Sequence, residues 1–132
     1  MALQIPPNCD LTLGLTCVDK SRPGVSIWTM RVDDRFLNPA GIVQGGFLAA
    51  MADSAMGAAV VTTLRDRKSS IANTEMKIAM IRPARIGDQL TCTATVLKPG
   101  NVITFVVARV VDADDRLVAS ASSTYLIKDR AE

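Results

Sequence analysis

Between Arg35 and Arg65 the chain carries one charged side chain, Asp53, set inside the apolar stretch Ile42 to Leu64, IVQGGFLAAMADSAMGAAVVTTL. A carboxylate in such surroundings is solvated, paired, or kept for a function that repays its desolvation. No other residue of the stretch can neutralise it. One reading is an Asp on a solvent-facing side of a helix. The other is a functional carboxylate, favoured because the flanking Met51, Ala52, Ala55 and Met56 read as core. Gly45 and Gly46, preceded by Gln44, sit where the helix begins. Free N–H groups at a helix start can face a carbonyl oxygen that is gaining negative charge, and glycine permits close approach. Two glycines also serve simply to turn a chain into a helix. From Gly45 to Asp53 the helix rises about 12 Å, too far for one small reacting group to touch both. If both act on one carbonyl, the helix start of one subunit must face the helix middle of another, as in a two-fold dimer with antiparallel helices.

The residues that are missing narrow the chemistry. The 132 residues include no histidine, so Ser-His-Asp and Cys-His devices cannot be built and a zinc site loses its commonest ligand. Cys9, Cys17 and Cys92 have no CxxC spacing and are odd in number, which fits a reducing compartment, and no disulfide framework or metal site is expected. The N-terminus MALQIPPNCD lacks the pattern of a secretory leader, so the cytoplasm is the expected location. A net charge of +2 with scattered basic residues gives no face for duplex nucleic acid. With 48% hydrophobic and 21% charged residues, the length and composition predict one folded domain over 1–132.

The elements that position these residues follow from periodicity. Ile42 to Leu64 is long enough to raise the question of a membrane span, but Ala, Gly, Ser and Thr dominate it and a carboxylate lies near its centre. It is expected to be a helix, apolar nearly all round and wrapped by other structure. The run Arg65 to Ser70 is a surface loop, after which the period changes. Strands are predicted over Val25 to Val32, Ile71 to Ile81, Gln89 to Lys98, Val102 to Ala113 and Arg116 to Ile127, rich in Thr, Val and Ile. Turn-like separators at Arg82 to Asp88, Pro99 to Asn101 and Asp114-Asp115 make antiparallel hairpins of the last three strands. Cys9 to Leu15 reads as a short helix. Trp28 and Met30 alternate on the first strand and read as core. The result is an α+β layout, one long central helix packed on a curved antiparallel sheet of five to six strands, which is the pattern of the hotdog fold.

The segments NPAGIVQGGFLAAMADSAMG and TEMKIAMIRPARIGDQLTCTATVLKPGN resemble the hotdog-fold acyl-CoA thioesterases of the phenylacetate-degradation (PaaI-like) type, with the likeness running from about Asn38 to Ile127. The resemblance implies hydrolysis of a thioester to a free acid and CoA in a homodimer, usually a dimer of dimers. Asp53 would be general base or nucleophile, the Gly45 N–H would polarise the carbonyl with Gly46 beside it, and Asn38 would help place substrate or water. Asn73 and Thr74 fall where a small polar residue holds that water. The family's histidine before the glycine pair is Gln44 here. An amide can donate a hydrogen bond but cannot deliver a proton near neutral pH. A CoA thiolate leaves without strong acid assistance. The phosphates of CoA call for a basic rim, with Arg82, Arg85 and Lys98 beside Gly100 as candidates, and the Arg65 to Lys68 run as another. Coenzyme A enters as part of the substrate, with no separate cofactor, metal or nucleic acid expected.

A second reading is a non-catalytic acyl-CoA-binding protein, for which Gln44 argues and against which Asp53 argues. A dehydratase would need an Asp-His pair that this chain lacks, and an acyl-sensing repressor would need a DNA-binding segment. A purely structural dimer is the remaining alternative.

Overall fold

The computed structural model describes residues 4–131. The leader reading of the N-terminus rests in part on residues 1–3, which lie outside them. A short helix α1 (Asn8–Leu13) and strand β1 (Thr16–Asp19) lead into β2 (Val25–Arg31), a single 3-10 turn (Asp34–Phe36) and the long helix α2 (Gly45–Thr62). Four strands follow: β3 (Ser69–Met80), β4 (Gln89–Lys98), β5 (Ile103–Val111) and β6 (Leu117–Asp129). They form one six-stranded sheet of order β1-β2-β4-β5-β6-β3, antiparallel at every pairing. The predicted strands and both helices stand within a few residues of expectation. The addition is β1, four residues whose mostly exposed side chains give no alternating signal.

Leu48, Met51, Ala52, Ala55, Met56, Ala59 and Val60 are the buried residues of α2, at steps of three and one that keep them on one side of a 3.6-residue turn. That side lies against Trp28 and Met30 of β2, Leu90, Cys92 and Ala94 of β4, Val106, Ala108 and Val110 of β5, and Tyr125 and Ile127 of β6 in one core. By length and composition α2 could cross a membrane, yet Leu48, Met51, Met56 and Val60, most of its large apolar side chains, are buried. The expectation that the helix is wrapped on all sides needs correction. The opposite side, with Gly46, Asp53 and Val61 exposed, is not covered by the described residues. Small residues on that side leave little polar contrast in the sequence, which is why the helix reads as apolar all round.

The chain leaves α2 and enters the sheet at its far edge, so β3 pairs with β6 and its other side is open among the described residues. In β3 the register skips between Asn73 and Glu75, leaving Thr74 as a bulge. The extra residue lets Asn73 and Met76, rather than Asn73 and Glu75, turn toward the helix.

Candidate active site

Asp53 is exposed on the uncovered side of α2, but its carboxylate is not free to rotate. Its Oδ1 accepts hydrogen bonds from the Tyr125 hydroxyl at 2.5 Å and from Asn73 Nδ2 at 3.0 Å. The Tyr125 hydroxyl also lies 2.9 Å from the main-chain oxygen of Asp53. Asn73 Nδ2 stands 3.1 Å from Ser123 Oγ and 3.4 Å from the Tyr125 oxygen, completing a small polar cluster between β3, β6 and the helix. The solvent-facing reading of Asp53 holds in one chain, and the carboxylate is also partnered from within the fold. The side chain meets solvent in one chain and is held from below by two strands. Oδ2 has no hydrogen-bond partner among the described residues.

Tyr125 and Ser123 escaped sequence analysis. Alternation along β6 puts 119, 121, 123, 125 and 127 on the helix side, so a tyrosine near the helix was readable, but its pairing with a residue 72 positions away was not. Tyr125 is 2% exposed. Burial first, and then the bond to Asp53, push its phenol well above the ordinary value of 10.0, so it is a hydrogen-bond donor at any physiological pH.

Gln44 occupies the N-cap of α2 with extended backbone and no side-chain cap bond, leaving its amide exposed. The Gly45 and Gly46 N–H groups therefore lead the helix without an acceptor among the described residues. A Cβ placed on Gly45 would stand 2.6 Å from Met80 Cε, so the half-exposed Met80 side chain lies directly across that glycine. Just before the helix, Asn38 Oδ1 accepts from Ala40 N at 2.9 Å and Ile42 N at 3.3 Å. Its carbonyl builds the loop that delivers the chain to Gly45, and only Nδ2 is left to face a ligand.

The remaining residues do not form one cluster. Thr74 is exposed at the bulge and its hydroxyl donates to Thr124 O at 2.8 Å, away from the Asp53 carboxylate. Arg82 and Arg85 are exposed in the β3–β4 loop, which Val43 N reaches through Ala84 O, so they stand at the start of α2. Lys98 and Gly100 lie at the other end, where Pro99, Gly100 and Asn101 face Thr63, Leu64 and Arg67 across a cavity of about 340 Å³. One chain cannot bring both groups to one phosphate. Gly100 has a structural duty: its N–H donates to the buried Thr104 hydroxyl, and a Cβ there would overlap the Ile103 carbonyl oxygen. In the Arg65 to Lys68 run, Arg67 is committed to Asp129 and to Asn101 O, both at 2.8 Å.

Residues 40–119 match the Thioesterase superfamily, and the chain belongs to it. The fold and sequence together make it a hotdog-fold thioester hydrolase of the PaaI-like type. It is 30% identical over 98 residues to human acyl-coenzyme A thioesterase 13, spanning 74% of this chain and 69% of that one. Among solved structures it is similar to a putative thioesterase from Ralstonia eutropha described as phenylacetic acid degradation-related. The identity there is 31% and the TM-score 0.83, over 94% of this chain and 92% of that one. The PaaI protein of the Escherichia coli phenylacetic acid degradation operon aligns at 25% identity and TM-score 0.85, over 92% and 84% of the two chains.

Proposed function

We propose that the protein hydrolyses acyl-CoA thioesters at a site shared by two subunits. The observation that carries this reading is the Asp53 carboxylate, on an exposed residue of α2, held at Oδ1 by two donors with Oδ2 unpartnered among the described residues. The thioester carbonyl oxygen would meet the Gly45 N–H of one subunit, and Asp53 of the facing subunit would act on the acyl carbon. In the water-mediated form, Oδ2 takes a proton from water as the water oxygen bonds to that carbon and the carbonyl electron pair moves onto oxygen. When the carbonyl re-forms, the C–S bond breaks and CoA departs as thiolate. The thiolate takes up the proton that Asp53 held, and the acid is free. No imidazole is required, because a thiolate is a good leaving group.

The open edge of β3 supports the dimer. Twelve residues of strand with one unpaired side are a template for a second copy. Pairing β3 with its symmetry mate would extend the sheet and set two α2 helices side by side and antiparallel. The uncovered, small-residue sides of the helices and the basic groups at opposite ends of α2 would then come together. A dimer of dimers would use the outer sheet face, where Leu97, Phe105 and Leu126 are exposed. The cytoplasm is the location we assign, on the three free thiols.

Release of free thiol from a panel of aryl-acetyl, benzoyl, short-chain and long-chain acyl-CoAs tests the proposal, with binding of the same compounds measured in parallel. Turnover of any member supports hydrolysis. Tight binding with no turnover would instead establish the non-catalytic reading that Gln44 favours.

A further inference from the structure

We propose that Tyr125 is a positioning residue of the reaction: its hydroxyl fixes Oδ1 of Asp53, so that Oδ2 alone is presented to the substrate. This rests on the thioesterase reading for its kinetic consequences, though the contact itself does not. Three features of the geometry support it. The phenol is fully packed, at 2% exposure, and its oxygen stands 2.5 Å from Oδ1, the short range of a hydrogen bond to an ionised oxygen. It also lies 2.9 Å from the Asp53 main-chain oxygen, so its single proton is shared between the side chain and the backbone of the residue, with the shorter contact to Oδ1. Asn73 supplies a second donor to the same carboxylate oxygen, not to the other one. A carboxylate on an exposed helix face ordinarily samples several rotamers, whereas here one oxygen is occupied from within the fold and the other is left outward.

The surroundings contain few other charges that could act on Asp53. Helix α2 carries no second ionisable residue. On β3, Glu75 and Lys77 are exposed after the bulge, and on β6, Lys128 and Asp129 lie at the far end, exposed. From α1, Asp10 is buried and accepts from the Ser54 hydroxyl at 2.7 Å, next to Asp53 in sequence but bonded to its neighbour. None of these has a hydrogen bond to the Asp53 carboxylate, and Tyr125 is the one titratable side chain among the described residues that does.

The sequence contains a single tyrosine, which makes an exacting test possible. Replacing it biosynthetically with 3-fluorotyrosine keeps the hydroxyl and makes it a stronger donor. Tyr125→Phe removes the donor. If Tyr125 acts through Asp53, kcat is lost in Tyr125→Phe and kept in the fluorotyrosine protein, with KM the same in both. Turnover in Tyr125→Phe falls roughly tenfold with KM unchanged. A merely structural tyrosine would leave kcat unchanged in a Tyr125→Phe protein that folds. The contact is read independently of activity from the 19F resonance of the fluorotyrosine protein, which shifts when Asp53→Asn is introduced. An unchanged resonance overturns the inference whether or not the protein hydrolyses thioesters. A shifted resonance with no turnover of any acyl-CoA leaves the contact standing and overturns the proposed function. If Tyr125→Phe fails to fold, the fluorotyrosine protein still decides: a resonance that ignores Asp53→Asn refutes the role.

Discussion

Replacing Gly45 separates a backbone N–H from the space around it. Gly45 is the first residue of α2, and Gln44 before it has φ −63° and ψ 136°. Proline is favoured at a first helical position, where its missing N–H has no intrahelical acceptor to lose, and the extended Gln44 is what a residue preceding proline requires. Gly45→Pro should therefore keep the helix while deleting the donor proposed to face the thioester oxygen. Proline also adds a Cβ, which would meet Met80 Cε at 2.6 Å, but that atom is the end of a flexible, 49% exposed side chain and can swing aside. Gly45→Ala adds the same Cβ and keeps the N–H, so the ratio of the two variants isolates the hydrogen bond. Loss of one such donor costs on the order of 10²–10³ in kcat, about 3–4 kcal/mol of transition-state stabilisation. Steady-state thiol release should thus fall about a hundredfold or more between Gly45→Ala and Gly45→Pro, with closely similar circular dichroism and melting. Equal rates in the two variants would refute the placement of the oxyanion at Gly45.

Two further outcomes follow from the same geometry. Mixing subunits that carry Asp53→Asn with subunits that carry Gly45→Pro, after mild unfolding and refolding, should restore activity to about a quarter of wild type, because half of the dimers are hybrids with one intact site of two. No recovery would place both groups in one subunit. Burial pushes the Cys92 thiol up to about 12, from an ordinary value of 9.0. A raised value means that the folded state keeps its proton after the unfolded chain has lost it. Stability is then complete below pH 9 and declines as pH rises toward 12, by about 1.4 kcal/mol per unit. Denaturant unfolding between pH 8 and 11 should give a visibly flatter decline in Cys92→Ala than in wild type.

Much of this architecture was legible because its signals are local. The alternation in β4 and β5 and the long run free of charge around Asp53 each arise within a few consecutive residues, and the strands and α2 formed where they were expected. The solitary carboxylate was conspicuous for the same reason. What could not be read depends on contacts across the fold. Asn73 was placed near Asp53 by resemblance alone, and the bulge at Thr74, after which Met76 rather than Glu75 turns inward, has no sequence signature. Tyr125 meets Asp53 only because β3 crosses to the far edge and leaves β6 beneath the centre of the helix. Arg82, Arg85 and Lys98 read as one basic rim, and within one chain α2 separates them by the length of its 18 residues. Gly100, expected as a ligand contact, also has a structural duty in a tight turn that its spacing does not announce. The open side of α2 was hidden by its own small side chains, which bury comfortably against a neighbour without announcing a face.

The central claim is that Asp53 does the chemistry on an acyl-CoA, and a single-turnover measurement in isotopically heavy water tests it most directly. With enzyme in excess over its best acyl-CoA substrate, wild type should release CoA thiol and place one heavy oxygen in the free acid. Asp53→Asn, which keeps the shape and removes the base, should release thiol at least about a hundredfold more slowly. Unchanged turnover in Asp53→Asn, with the heavy oxygen still entering the acid, would contradict the account.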